Sequence, residues 1–144
     1  MTADNVAVVL RGTELFNRAD VEAMMRLWHP DSQYVDHRPI GWEAMGLDEV
    51  RELNRSAFTV VPDVRRRTTV VADPGDRVVC LVRFSGHAVD GGGDVELDYA
   101  EVTVVQDGLI TRRDIYASGD EALASVPADP SREADPSREA DPSP

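Results

Sequence analysis

Asp36 stands in the run Leu27-Trp-His-Pro-Asp-Ser-Gln-Tyr-Val-Asp-His-Arg-Pro-Ile-Gly-Trp42, where an amphipathic helix gives way to an apolar, aromatic-flanked extended segment. A carboxylate in that setting is a candidate general base, because burial raises its pKa toward the operating pH. The alternative is a turn aspartate that accepts hydrogen bonds from nearby backbone N–H groups ahead of Pro39. Glu101 is the second candidate. If the loop between Asp90 and Asp94 is symmetric, Val89 pairs with Val95 and Arg83 lies opposite Glu101, on the same face of the sheet. A three-residue loop at Gln106-Asp-Gly108 would bring Arg113 opposite Glu101 from the other side, whereas a two-residue loop would bring Asp114 there. A carboxylate between guanidinium groups stays ionised. Glu101 and Arg83 would then polarise or orient an oxygen-bearing molecule while Asp36 took its proton. The same residues could equally form an ion-pair ladder on a solvated face. The acid–base reading expects the Asp36 carboxyl to be raised and the Glu101 carboxyl to be lowered.

The elements that must position these groups are legible from periodicity. Val6, Val9, Leu10, Thr13 and Phe16 fall near one face of a first helix. Asp20 is placed to cap a second, whose apolar stripe is Val21, Met24, Met25 and Trp28 and which Pro30 stops. A third helix over about 47–58 buries Leu47, Val50, Leu53 and Ala57, with Asn54 on the same side. A buried asparagine needs partners, so Asn54 ties down backbone or faces a polar cavity. From Val64 the period becomes two. Strands are expected over 64–71, 78–89, 95–105 and 109–117, joined by turns at Asp73-Pro-Gly-Asp76, the Gly91-Gly92-Gly93 loop and Gln106-Asp-Gly108. Helices on one face of a curved antiparallel meander make an α+β domain. Val102 and Val104 are apolar on the face opposite the core, so a homodimer through the convex sheet face, with Tyr116, is expected.

Residues 1–126 read as one domain. Residues 127–144 continue as an ADPSRE repeat with almost nothing apolar to bury, expected to be a disordered tail. The net charge of −12 argues against nucleic acid and anionic membranes as partners. No run reaches membrane-spanning length and no signal pattern opens the chain, so a cytoplasmic protein is expected. All basic residues are arginine, and without lysine neither Schiff-base chemistry nor a phosphate-loop lysine is available. Cys80, the single cysteine, lies in an apolar run and reads as core. His29, His37 and His87 lack metal-ligand spacing, and neither a metal nor another cofactor is expected.

The run Glu14-Leu-Phe-Asn-Arg-Ala-Asp-Val-Glu-Ala-Met-Met-Arg-Leu-Trp-His-Pro-Asp31, with Tyr34-Val-Asp36, Tyr99-Ala-Glu-Val102 and Asp107-Gly-Leu-Ile110, resembles the SnoaL-like branch of the nuclear transport factor 2-like superfamily. The resemblance runs from Asn5 to about Ala124. It implies a cone-shaped α+β barrel, three helices wrapped by a strongly curved, mainly antiparallel sheet of four to six strands, with a pocket at its mouth. The superfamily holds ketosteroid isomerases, epoxide hydrolases, polyketide cyclases and binding modules, so the fold alone implies no single activity. Against the ketosteroid isomerases, the general base falls on Asp36 and the oxyanion-hole acid on Glu101. The oxyanion-hole tyrosine falls on Gly12 and a second pocket tyrosine near Asn54. Losing an oxyanion donor costs on the order of 100-fold or more, which counts against steroid isomerisation. The Asp/Arg/Glu cluster is more similar to the family's epoxide hydrolases, although their aspartate near the end of the last strand falls on Ala117. The segment from Val35 to Trp42 is also similar to SnoaL-like domains appended to bacterial regulators. There His37, Arg38 and Trp42 would line or lid the pocket, a plain surface loop being the alternative.

The first expected function is a small cofactor-independent cyclase, isomerase or hydratase acting on a compact apolar carbonyl or hydroxyl compound. Asp36 would be its base, Glu101 and Arg83 its polarising pair. Trp28, Tyr34, His37, Trp42, Asn54 and Arg113 would bind the substrate. The second is a non-catalytic ligand-binding or sensory domain of the same fold.

Overall fold

Helix α1 (Thr2–Asn17) is tied to the sheet at its C-terminal end. The Asn17 amide donates to Arg66 O at 2.9 Å and accepts from Arg66 N at 2.7 Å. Asp20 caps α2 (Val21–Met25), accepting from Ala23 N at 3.1 Å. The computed structural model describes residues 2–39 and 44–126. Trp42 and the repeat over 127–144 lie outside them.

The second helix is shorter than its apolar stripe suggests. It ends at Met25, and Trp28 is already the first residue of strand β1 (Trp28–Asp36). Pro30 lacks an N–H and disfavours helical backbone at the residue before it, so the chain leaves the helix early. Strand β1 runs parallel to the last strand. Its register jumps from Trp28↔Ile110 to Gln33↔Arg112, which leaves Pro30 in a bulge where no ladder bond is required of it. Helix α3 (Leu47–Val60) follows. The meander is then β2 (Arg65–Ala72), β3 (Arg77–His87), β4 (Asp94–Gln106) and β5 (Leu109–Tyr116). The strands form one five-stranded sheet in the order β1-β5-β4-β3-β2. Its inner face meets α1 and α3 in a core that includes Val9, Phe16, Val50, Val78, Val82 and Ile115. Phe16 is the hub, with ring centroids 4.9 Å from Phe58 and 5.4 Å from Phe84.

Two registers differ from those expected. Val95 pairs with Gly86, not Val89, because the β3–β4 loop spans 88–93 and includes a short 3₁₀ turn, Val89–Gly91. That is a shift of an odd number of residues, and side chains alternate along a strand, so Arg83 moves to the outer face. It pairs there with Asp98, and Cys80 takes its place opposite Glu101. The last hairpin turns on two residues, Asp107 and Gly108, both with positive φ (53° and 79°). A bulge after Ile110 then sets Ile115, neither Arg113 nor Asp114, opposite Glu101. Arg113 sits opposite Thr103, one pleat along from Glu101 on the same inner face.

The outer sheet face is occupied by the chain itself. Helix α4 (Gly119–Ala124) lies over it, and Ala122 packs with Val79, Ala100 and Val102. Val102 is left 4% exposed, and Tyr116 packs at the edge of the same cluster. Val102, one of the outer positions that suggested a dimer, is therefore covered within one chain, while Val104 is half-buried outside this cluster. A Cβ on Gly119 would lie 2.8 Å from Leu81 Cδ2, so the helix enters against β3 at a distance only glycine allows without adjustment.

Candidate ligand-binding site

Strand register lays the inner-face polar groups in rows across the sheet. One row is Asp36, Ile115, Glu101 and Cys80; the next holds Tyr34, Arg113 and Thr103. Above them, under α1 and α3, is a cavity of about 280 Å³. Its walls are mostly apolar, with Phe16, Trp28, Val50, Leu53, Phe84 and Ile110 among them. Polar groups reach it from Tyr34, Arg38, Asn54, Arg66, Tyr99 and Arg113. Neither Asp36 nor Glu101 belongs to this lining. Both carboxylates are fully buried, behind the arginines that pair with them.

Asp36 is chelated by Arg38. Nε donates to Oδ1 at 3.0 Å and Nη2 to Oδ2 at 2.7 Å, while the Arg38 backbone N–H donates to Oδ1 at 2.9 Å. Burial works to raise this carboxyl, but the hydrogen bonds and charge of Arg38 outweigh it and hold the carboxyl below its ordinary value. The expected raised aspartate is thus a lowered one. The turn reading and the ion pair both apply, and Arg38 in turn lies over the Tyr99 ring at 4.9 Å.

Glu101 is the other anchor. Arg66 Nη2 donates to its Oε2 at 2.6 Å, and Arg113 Nη2 stands 3.4 Å from the same oxygen. Oε1 has no hydrogen-bond partner among the described residues. Burial opposes ionisation here too, yet the charges of Arg113 and Arg66 and the hydrogen bond from Arg66 keep the carboxyl below its ordinary value. Arg66 is spent on this task. Its Nε donates to Thr68 at 3.0 Å and Thr13 at 3.3 Å, and its Nη1 donates to the Tyr99 hydroxyl at 3.4 Å. Arg113 is committed less fully. Its Nε donates to the Thr103 hydroxyl at 2.9 Å, and its guanidinium lies 5.0 Å from the centre of the Trp28 ring. Burial pushes the Tyr34 and Tyr99 phenols upward, so both remain protonated donors at neutral pH. Cys80 is buried in the core, and its thiol is pushed up to about 12 by burial first and by Glu101 second, which leaves it inert.

Of the residues singled out in the sequence, Trp28, Tyr34, Asn54 and Arg113 line the cavity, and Asp36 and Glu101 support it from behind. Asn54 does tie down backbone, donating to Val50 O at 2.8 Å, and faces the cavity as well. Arg83 does not reach it. On the outer face its guanidinium chelates Asp98 at 2.8 and 3.0 Å, which is the solvated ion-pair reading of that residue. His37 is outside too, stacked on Tyr116 at 4.6 Å and bonded to Asp114 at 2.9 Å. Arg66 was missed, although Val64, Arg66, Thr68 and Val70 share a strand face by simple alternation. Among the described residues no group of three or more His, Cys, Asp or Glu is placed to hold a metal, and no helix is long and apolar enough to cross a membrane.

The lowered carboxyls fix the sign of the acid response. Asp36 and Glu101 bind protons less readily in the fold than in the unfolded chain. The stability they contribute is complete above the unfolded values of about 4 and is lost as pH falls through the folded ones. Urea midpoints are expected to fall as the pH is lowered from about 5 to below about 4. A midpoint that rises over that range would contradict the pairing.

A family model described as SnoaL-like domain matches residues 9–113. No curated protein matches the chain. Among solved structures, a putative SnoaL-like polyketide cyclase from Jannaschia sp. CCS1 is 20% identical, with 88% of this chain and 95% of that one covered and a TM-score of 0.67. TerC, co-crystallised with polyporic acid, is 22% identical over 85% and 99%, also at 0.67. A hypothetical protein of ketosteroid isomerase-like fold from Catenulispora acidiphila DSM 44928, in complex with trimethylamine, is 22% identical over 81% and 89%, at 0.66. At these identities the likeness is one of fold. One of these neighbours was crystallised with an acid and another with an amine, so the likeness singles out no ligand.

Proposed function

The chain belongs to the SnoaL-like domain family, and from that premise we propose that it is a small-molecule pocket protein. It binds a compact, largely apolar molecule bearing a carbonyl or hydroxyl oxygen. One observation carries this reading: the cavity presents aromatic and aliphatic walls with hydrogen-bond donors at one end, while both carboxylates are engaged behind those donors. A base must reach the proton it removes and be able to hold it. Asp36 is chelated by Arg38 and depressed in pKa, so its role is to fix Arg38 at the cavity wall. The polyporic acid complex of TerC supports an oxygen-rich ligand for this fold.

The test is binding of the neutral two-ring probe 2-naphthamide, followed by calorimetry. Saturable one-to-one binding is expected, abolished by Ala57→Trp, which fills the cavity from α3. Absence of binding by the unaltered chain both of this probe and of its carboxylate counterpart, 2-naphthoate, would overturn the proposal. A cyclase or isomerase reading draws support from Tyr34 and Arg113, neighbours across β1 and β5 that could stabilise an enolate oxygen while solvent hydroxide takes the α-proton, both carboxylates being engaged. Deuterium exchange into the methyl group of 2-acetylnaphthalene, catalysed by the protein, would favour that second reading.

A further inference from the structure

We propose that the ligand is an organic acid, bound as its anion, with its acidic oxygen on the guanidinium of Arg113. The proposal rests on the pocket reading above and adds the charge of the occupant.

The first support is a charge count at the cavity floor. Arg66 and Arg113 share one carboxylate, Glu101, through the same oxygen. Arg66 holds it by a 2.6 Å hydrogen bond and uses its other nitrogens on Thr13, Thr68 and Tyr99. Arg113 stands further off at 3.4 Å. One positive charge is therefore uncompensated in this cluster, and it resides on Arg113. Its surroundings make that charge count. The side chain is 12% exposed, and a charge withdrawn from water interacts more strongly with a partner than one in solvent.

The second support is the donor inventory. A guanidinium carries five N–H donors. Among the described residues only Nε of Arg113 makes a hydrogen bond, to Thr103, so the η nitrogens keep donors on a residue that lines the cavity. Tyr34 pairs with Arg113 across β1 and β5, faces the same cavity, and has a hydroxyl with no hydrogen bond among the described residues. That phenol stays protonated and can only donate to an anion. Two neighbouring donors, one of them cationic, define a site for an acceptor: a carboxylate, an acidic enol or a phenolate. Besides the phenol oxygens of Tyr34 and Tyr99, the side-chain acceptors of the lining, the Thr13 hydroxyl and the Asn54 amide oxygen, come from the helices on the other wall. Trp28, against the Arg113 guanidinium, would take the ring of an aromatic acid.

This occupant must be captured against the field of the chain as a whole. A net charge of −12 repels small anions at long range. Capture of an acid thus requires a local cationic site shielded from the surface, and Arg113 provides it.

Calorimetry at pH 7 on the full chain with three isosteric probes tests the proposal. They are 2-naphthoate, neutral 2-naphthamide and cationic 2-naphthylmethylammonium. The carboxylate is expected to bind roughly 10- to 100-fold more tightly than the amide, the range for a hydrogen bond to a charged group, with the ammonium weakest. Arg113→Met is expected to weaken both probes but the carboxylate by far the more, shrinking its advantage over the amide to about 2-fold or less. Should that variant not fold, Arg113→Lys, which keeps the charge without the planar fork, is expected to retain a preference of roughly 3- to 10-fold. Equal binding of carboxylate and amide would overturn the acid and leave the pocket standing. A preference for the ammonium, or loss of both probes alike in Arg113→Met, would overturn it also. If neither carboxylate nor amide binds the unaltered chain, the pocket reading falls first.

Discussion

Replacing Glu101 with alanine is expected to cost the fold about 3–5 kcal/mol, a large part of the roughly 5–15 kcal/mol that stabilises an ordinary domain. The side chain is 0% exposed, and two guanidiniums depend on it. Its removal leaves Arg66 and Arg113 in the core with no counter-charge, and an unpaired buried charge costs far more than an intact pair contributes. Arg66 is the worse placed of the two, being nearly enclosed between α1 and the sheet by its bonds to Thr13 and Thr68. Thermal unfolding should fall by roughly 10 °C or more. Glu101→Gln, which keeps the shape and one acceptor oxygen, should lose less. A loss below about 1 kcal/mol for the alanine variant would mean that the arginines find other partners, and the central role given to Glu101 would be withdrawn.

Phe16→Ala is expected to cost a comparable 3–5 kcal/mol, for a different reason. Phe16 is 1% exposed and touches both Phe58 and Phe84, so it joins α1 to α3 and to β3 at a single point. Truncation removes the transfer energy of a phenyl ring and leaves a void that rigid neighbours cannot close. The void opens into the existing cavity, which Phe16 lines. Phe58→Ala, at a partly buried position on α3, should cost about half as much. Urea unfolding of the two variants is the check. Equal costs would show that Phe16 is not the hub of the core.

The sequence carried the fold further than it carried the site, and the reason lies in parity. Apolar periodicity located α1, α3 and the four-strand meander, because burial of one face repeats at every turn or pleat. The edges of elements were weaker: Trp28 continued the stripe of α2 but belongs to β1, since Pro30 ends the helix early. Helix α4 is too short for a period to be read, and it covers Val102, one of the residues on which the expected dimer was placed. For the site, each hairpin loop set the outcome. The β3–β4 register moved by an odd number of residues and carried Arg83 to the outer face. The β4–β5 register moved by an even number, through a two-residue turn and a bulge, and Arg113 stayed beside Glu101. Loop length and bulges are written in few residues, so sequence fixes them poorly, and one residue is enough to exchange inside for outside. Asp36 is buried, but it stands behind the cavity lining and not in it. Its chemistry was inverted by Arg38, two residues away, whose fork closes on it only because the strand ends there.

The protonation of Asp36 decides between a proton-transferring residue and a structural counter-ion. Titration of its carboxyl carbon by NMR, assigned with Asp36→Asn, measures that directly. A midpoint below the ordinary aspartate value of about 3.9 is predicted, because the Arg38 chelate outweighs burial. A midpoint above that value, moving toward neutral pH, would contradict the account and restore Asp36 as a general base.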